Sequence, residues 1–391
     1  MSGTSNTLTT KSHRIYPAQF QKLSAIAACC IQDRNKAAEL IAEYRQNLAT
    51  MSEGPETLQA LLFLNGLEQY INPNKKAANL YLLPEDDQQI RLFQFMVDHF
   101  PVMGQSQEIA NHLLAASVQA GLQKSQAQHV AILDIGLGSG RQMANLLERL
   151  NKQNTFPKKL TLVGIEPAQE SIIEARATLE AKANALGIGI ENRIDFKFYR
   201  TTLEDFGNDN WQDLAELAAQ CDCLVMNASF ALHHIQPYSQ RVTLLSKLKA
   251  LNPDLMVVLE PWGDFTSNNL CQRLENAWQH YGDTFKALDK IIKSNQEADK
   301  AAVKRVFSGR EILDVLANDA PTEGFETDEM WCDKFSQAGF LPYPLKETLQ
   351  NMLPALPLNF AYAAQDKNRQ HYQCIRYNVD EHPIAAIMAF S

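Results

Sequence analysis

Val130-Ala131-Ile132-Leu133-Asp134-Ile135-Gly136-Leu137-Gly138-Ser139-Gly140-Arg141 is the stretch whose reading decides the fold. Its first four residues form an apolar run short enough for a buried strand. Asp134 follows, and glycines then stand at every second position until a helical pattern begins. This reads as strand, glycine turn, helix. Glycine suits such a turn because positive φ is needed at some positions, and because a ligand approaches backbone N–H groups closely only where no Cβ intervenes. The same residues would also serve an ordinary tight turn. Against that plainer reading stands a second apolar strand, 160–165, with Glu166 at its carboxyl end. An acidic side chain there can accept hydrogen bonds from both hydroxyls of a ribose while the glycine turn faces the rest of a nucleoside.

Glycine spacing separates the nucleosides. A dinucleotide fingerprint, G-x-G-x-x-G, beginning at Gly136 needs glycine where this chain has Arg141, which argues against NAD. The spacing Asp-x-Gly-x-Gly-x-Gly instead resembles the first motif of Rossmann-like S-adenosylmethionine-dependent methyltransferases, in which the loop meets the amino-acid end of the cofactor. That resemblance implies S-adenosyl-L-methionine as cofactor, held by Asp134, Gly136, Gly138, Gly140 and Glu166.

Outward from this stretch, strand and helix patterns alternate. Residues 194–199 read as a third strand, 221–227 as a fourth and 255–259 as a fifth, with helices at 171–186 and 241–251. Such alternation means a parallel, doubly wound sheet with ligands at the strand carboxyl ends. Thr202, Leu203 and Glu204 follow the third strand, where the methyltransferase resemblance implies contact with adenine; helix capping is the other reading of Glu204 and Asp205. Asn227 ends the fourth strand and is placed with the cofactor group as a positioning residue. Ahead of the glycine strand, 17–121 is helical in period throughout, with Asp33 as a cap and Pro73-Asn74 in a turn.

The 391 residues exceed one ordinary core. With 45% apolar and 21% charged residues the chain is globular, and no apolar run or signal-peptide pattern points to a membrane or export, so the cytoplasm is expected. Seven cysteines without ligand spacing read as free thiols, giving neither disulfide nor metal site. A net charge of −9 opposes phosphate backbones, so nucleic acid is not an expected partner.

The blocks in their order resemble the GRAS family of its bacterial type, within the methyltransferase superfamily. The glycine stretch stands in place of the plant V-H-I-I-D motif. Met226-Asn227-Ala228-Ser229-Phe230-Ala231-Leu232-His233-His234 resembles V-N-x-x-F-x-L-H-H. Leu251-Asn252-Pro253, Arg273 and Tyr281-Gly282-Asp283-Thr284-Phe285 resemble the P-F-Y-R-E region. Arg310-Glu311-Ile312, Trp331 and Ala338-Gly339-Phe340 resemble the start of the S-A-W region. Plant members are transcriptional regulators whose first motif has largely lost its glycines, whereas the three glycines here are intact. The final Ser-Ala-Trp is replaced by Ala389-Phe390-Ser391.

These readings combine into an α/β fold: a Rossmann-like, doubly wound, mostly parallel sheet with a helical N-terminal lobe and a helical cap insertion. The expected divisions are a disordered tail, 1–16; the helical lobe that caps the pocket, 17–127; the cofactor-binding core, 128–264; the cap insertion, 265–309; and a C-terminal part, 310–391, completing the sheet. Within the cap, 286–305 reads as a charged, solvated helix. The expected function is a class I methyltransferase acting on a small-molecule acceptor, with a homodimer as the oligomer allowed for. In-line methyl transfer needs alignment and, for a hydroxyl or thiol acceptor, a base. His233, His234 and Glu260 are the candidates, while Trp262, Asp264 and Asn269 are placed on the substrate side. The competing reading is a non-catalytic GRAS-like interaction protein whose nucleoside site is vestigial.

Overall fold

The computed structural model describes residues 17–52, 54–72, 87–125, 128–189, 193–293, 296–345, 348, 364–365 and 371–391. The 1–16 tail and the Pro73-Asn74 turn lie outside them. Among the described residues five helices come first: α1 (Ala18–Gln32), α2 (Arg34–Thr50), α3 (Pro55–Ile71), α4 (Asp87–His99) and α5 (Pro101–Ser125). Asp33 starts α2 as expected, its carboxylate accepting from the N–H groups of Asn35 and Lys36 at 3.1 Å each.

The sheet begins with β1 (His129–Ile135), followed by α6 (Arg141–Lys152), β2 (Lys159–Ile165), α7 (Gln169–Ala185), β3 (Ile194–Tyr199), α8 (Asn208–Gln220), β4 (Cys223–Ser229), α9 (Arg241–Ala250) and β5 (Leu255–Pro261). Then come α10 (Leu270–Ile291), α11 (Glu297–Ala302), a π-helical turn (Val303–Phe307), α12 (Ser308–Ala317) and α13 (Asp328–Gln337). A short pair, β6 (Ala364–Gln365) and β7 (His371–Tyr372), precedes β8 (Cys374–Val379) and β9 (His382–Phe390). The seven-stranded sheet has the order β3-β2-β1-β4-β5-β9-β8, with β1 to β5 parallel and β9 antiparallel to both its neighbours.

Period two sets the layers. Val130, Ile132, Leu160, Leu162, Val225 and Val257 face one core, which runs on into α1 to α5. Ala131, Leu133, Val163, Met226 and Met256 face the other, which includes Leu214, Leu245 and Phe335 of α8, α9 and α13. Both faces are therefore covered, as the buried strands β1, β2, β4 and β5 require. Because the strand order reverses between β1 and β4, the loops leaving those two strands diverge and open a crevice at the carboxyl ends.

The two helical parts pack on each other, with Trp278 of α10 edge-on to Phe63 of α3 at 5.1 Å between ring centroids. Residues 286–305 are not one solvated helix. The helix ends at Ile291, and Lys300 and Lys304 are buried, both within ion-pair distance of Asp289 (3.6 and 2.5 Å). Lysine covers apolar surface with its stem while its ammonium keeps a partner, so a charged run can still be an interior face. No helix among the described residues is long and apolar enough to cross a membrane.

Candidate functional site

The crevice is a cleft of about 220 Å³ floored by the glycine turn. Gly136, Gly138 and Gly140 all have positive φ, at 79°, 52° and 74°. At Gly136 a Cβ would stand 2.8 Å from that of Ala231, and at Gly140 it would meet the backbone of Ala175 at 3.0 Å. At Gly138 it would meet nothing within 4 Å. The first and third glycines are thus required by packing. The second leaves open room in the cleft, as a ligand-facing glycine should.

Glu166 closes the turn from β2. Its Oε2 accepts the Gly138 N–H at 2.9 Å and its Oε1 the Ala168 N–H at 3.1 Å. A carboxylate has about four acceptor positions, so two remain for hydroxyls of a bound molecule. Burial pushes its carboxyl up, partly offset by those two N–H bonds. Asp134, at the foot of the cleft, is 2% exposed and raised to about 7, chiefly by burial, against a hydrogen bond of 2.7 Å from Asn227 Nδ2. Asn227 itself is fully buried and accepts from Gln142 Nε2 at 3.2 Å, so it positions Asp134 and does not face the cleft. Thr202, Leu203 and Glu204 line the opposite wall. Burial raises Glu204 as well. Helix α8 is capped by Gly207 without a side-chain bond, so the capping alternative for Glu204 and Asp205 fails.

The remaining wall comes from the N-terminal lobe, which the sequence places as a cap without singling out a helix. Phe93, Gln94 and Val97 of α4 lie over the turn. Arg141 donates to Gln94 Oε1 and Asp98 Oδ1, both at 2.6 Å, and Gln94 Nε2 donates to Ser139 at 2.8 Å. The residue that breaks the dinucleotide fingerprint is the one that ties α4 down. Facing Phe93 edge-on is Phe230, a non-glycine residue at φ 57° held by its N–H bond to Leu259 at 2.7 Å.

The three residues proposed for proton transfer divide. Glu260 is fully buried and accepts the N–H groups of Ala231 and Leu232 (3.1 and 2.8 Å) and His233 Nδ1 (2.5 Å). His233 is 4% exposed, with Nε2 lying 3.3 Å from Glu323. Burial alone would lower His233, but Glu260 and Glu323 overcome it and raise the imidazole to about 9. Neither His233 nor Glu260 lines the cleft; both buttress the loop after β4. His234 does line it, and burial followed by the charge of His233 lowers it to about 4.

The substrate-side placements also fail. Trp262 donates its indole N–H to Asp328 at 2.7 Å, Asp264 accepts from Thr266 at 3.1 Å, and Asn269 caps α10, accepting from Cys271 N–H at 2.9 Å. None of the three lines the cleft, and no residue of 265–309 does. Of the two helical parts expected to close over the site, the lobe lines it through α4 and the insertion does not, because α10 and α12 are occupied in covering α3.

The GRAS domain model matches residues 20–374. The chain belongs to the GRAS domain family. DELLA protein RGL3 of Arabidopsis thaliana is 30% identical over 223 residues, 55% of this chain and 40% of that protein. Scarecrow-like protein 33 of Arabidopsis thaliana is 26% identical over 344 residues, 85% of this chain and 48% of that protein. The chain thus spans less than half the length of these two relatives. The solved structure of SCL7 in Oryza sativa superposes with a TM-score of 0.73 at 17% identity, covering 96% of this chain and all of that one, and shows a shared fold.

These relatives correct the expected activity. They are DELLA and Scarecrow-like proteins, and a further relative, 20% identical over 350 residues, is the Scarecrow-like transcription factor PAT1 of Arabidopsis thaliana, so the similarity favours the regulatory reading over the enzymatic one. The methyltransferase assignment and its small-molecule methyl acceptor are therefore withdrawn. The bacterial type goes with them, because the relatives come from plants.

Proposed function

We propose that this GRAS protein is a non-catalytic regulator acting through contacts with other proteins, and that its cleft holds an S-adenosyl-type nucleoside as a ligand. The observation that carries the reading is the division of the site. The ligand-cradling part, Gly138 with Glu166, is built and open, while the groups suited to proton transfer, His233 and Glu260, are spent on holding a loop. The strand order supports a Rossmann-like sheet, in which the crevice at the β1/β4 reversal is where nucleosides bind. Ligand and regulation are compatible, since a molecule bound between α4 and the glycine turn would stabilise one arrangement of the helical layer that partners meet.

Calorimetric titration with S-adenosylhomocysteine tests the ligand. Gly138→Val, which adds bulk in open space, should abolish binding in a folded protein. Glu166→Ala should weaken it by roughly 2–4 kcal/mol, the range for charge-assisted bonds to two hydroxyls. Unchanged affinity in both variants would refute the cradle. Turnover of S-adenosylmethionine on any acceptor would refute the non-catalytic reading while leaving the ligand in place.

A further inference from the structure

Behind the cleft wall, the loop after β4 meets the segment between α12 and α13. His233 Nε2 lies 3.3 Å from Glu323 Oε2, and His234 Nδ1 lies 3.8 Å from Glu323 Oε1. The three ligand atoms fall within 4.8 Å of one another. Glu323 is 1% exposed, and neither of its carboxylate oxygens accepts a well-formed hydrogen bond from the described residues. A buried carboxylate so placed is costly unless something stronger than a long contact neutralises it.

We propose that His233, His234 and Glu323 form a binding site for a borderline divalent cation of the zinc type. Two imidazoles and a carboxylate are a donor set that zinc accepts. A tetrahedron with metal–ligand bonds of about 2.05 Å has edges of about 3.3 Å, which the His233–Glu323 spacing matches and the 3.8 Å His234–Glu323 spacing exceeds by about half an ångström. Glu260 takes the His233 Nδ1–H at 2.5 Å, which fixes the ring and directs Nε2 toward Glu323; a bound ion would displace the proton that Nε2 otherwise shares with that carboxylate. The charge inventory agrees. Glu260 and Glu323 lie against the imidazoles, with the carboxyls of Glu311 and Asp314 close behind. The buried cation nearby, Arg241, is committed to Glu326 at 2.8 Å and to the His233 carbonyl at 2.5 Å. A bound ion would pin the cleft wall at His234 to the segment that carries Glu323, whether or not a nucleoside is present.

The test uses the full chain, expressed without a histidine tag. Elemental analysis after dialysis against zinc should give about one equivalent per chain, and cobalt(II) should give the strong visible absorption of a tetrahedral site. His234→Gln, at the partly exposed member, and Glu323→Gln should each lose that equivalent and that spectrum. Glu260→Gln should weaken affinity 10- to 100-fold, as removal of an outer carboxylate does. If Glu323→Gln fails to fold, His234→Gln carries the decision. A wild-type chain that takes up no more zinc than His234→Gln, or a His234→Gln chain with an unchanged cobalt spectrum, overturns the proposal.

Discussion

Asp134→Asn keeps the shape of the side chain at the foot of the cleft and removes its capacity for charge. The wild-type carboxyl is raised to about 7 from an ordinary 3.8, chiefly because burial penalises the anion. Folding therefore favours the protonated form. The sign follows by linkage: stability from this group is full below about pH 4, falls as pH rises through the folded value near 7, and stays low above it. A rise of about three pKa units at ~1.4 kcal/mol each sets an upper bound of ~4 kcal/mol on the penalty carried at neutral pH. Asparagine escapes it, since its amide oxygen can still accept from Asn227 Nδ2. Urea-unfolding midpoints of the two proteins should thus converge near pH 4 and separate progressively to about pH 7, with the variant the more stable, and run parallel beyond. A difference independent of pH, or a variant less stable at neutral pH, would refute the argument that Asp134 is held against its own desolvation.

Two further outcomes follow from the local geometry. Asn269→Ala should lower stability by about 1 kcal/mol through loss of the α10 cap, and calorimetry should find nucleoside affinity unchanged, because the residue is remote from the cleft. Gly140→Ala should destabilise by more than Gly138→Ala, by roughly 1–3 kcal/mol, since both impose positive φ but only Gly140 meets a backbone. Equal thermal shifts for the two would remove the distinction between a packing glycine and a ligand glycine.

The five parallel strands and their order along the chain were legible because buried strands are short apolar runs between glycine, proline and charge, and 130–135 or 255–259 can be little else. The glycine turn with Glu166 was legible for the same reason, since special backbone and a strand-end carboxylate leave a spacing signature. The lobe was expected to cap the pocket, but which of its helices would form the wall was not legible. Helical period identifies a buried face at Leu92 and Met96 but carries no information about which end of the sheet that face meets. His233 and Glu260 were found and given the wrong role, because position at a strand end does not tell whether a side chain turns toward the crevice or back into the loop. Asp314 and Glu323 escaped notice altogether, and Glu311 was matched only as part of a family block. They read as ordinary surface carboxylates, and only tertiary packing buries them. Arg273, matched to a family block, proves to be scaffolding that donates to the carbonyls of Val315, Ser267 and Asn318.

One edge of the sheet carries a safeguard of another kind. Among the described strands, β3 has a neighbour on one side only, which leaves a row of backbone donors and acceptors free to template another chain. Its middle alternates: Phe196 and Phe198 pack on the core, whereas Asp195 is exposed and Lys197 reaches across to Asp213 at 3.1 Å while lying over the Tyr199 ring. Charge on an edge strand does little for the folded monomer, but it makes edge-to-edge addition of a second copy electrostatically and sterically unfavourable. Lys197 therefore serves the population of molecules rather than the individual one, and its loss would surface as aggregation on storage in a protein whose melting temperature had hardly changed.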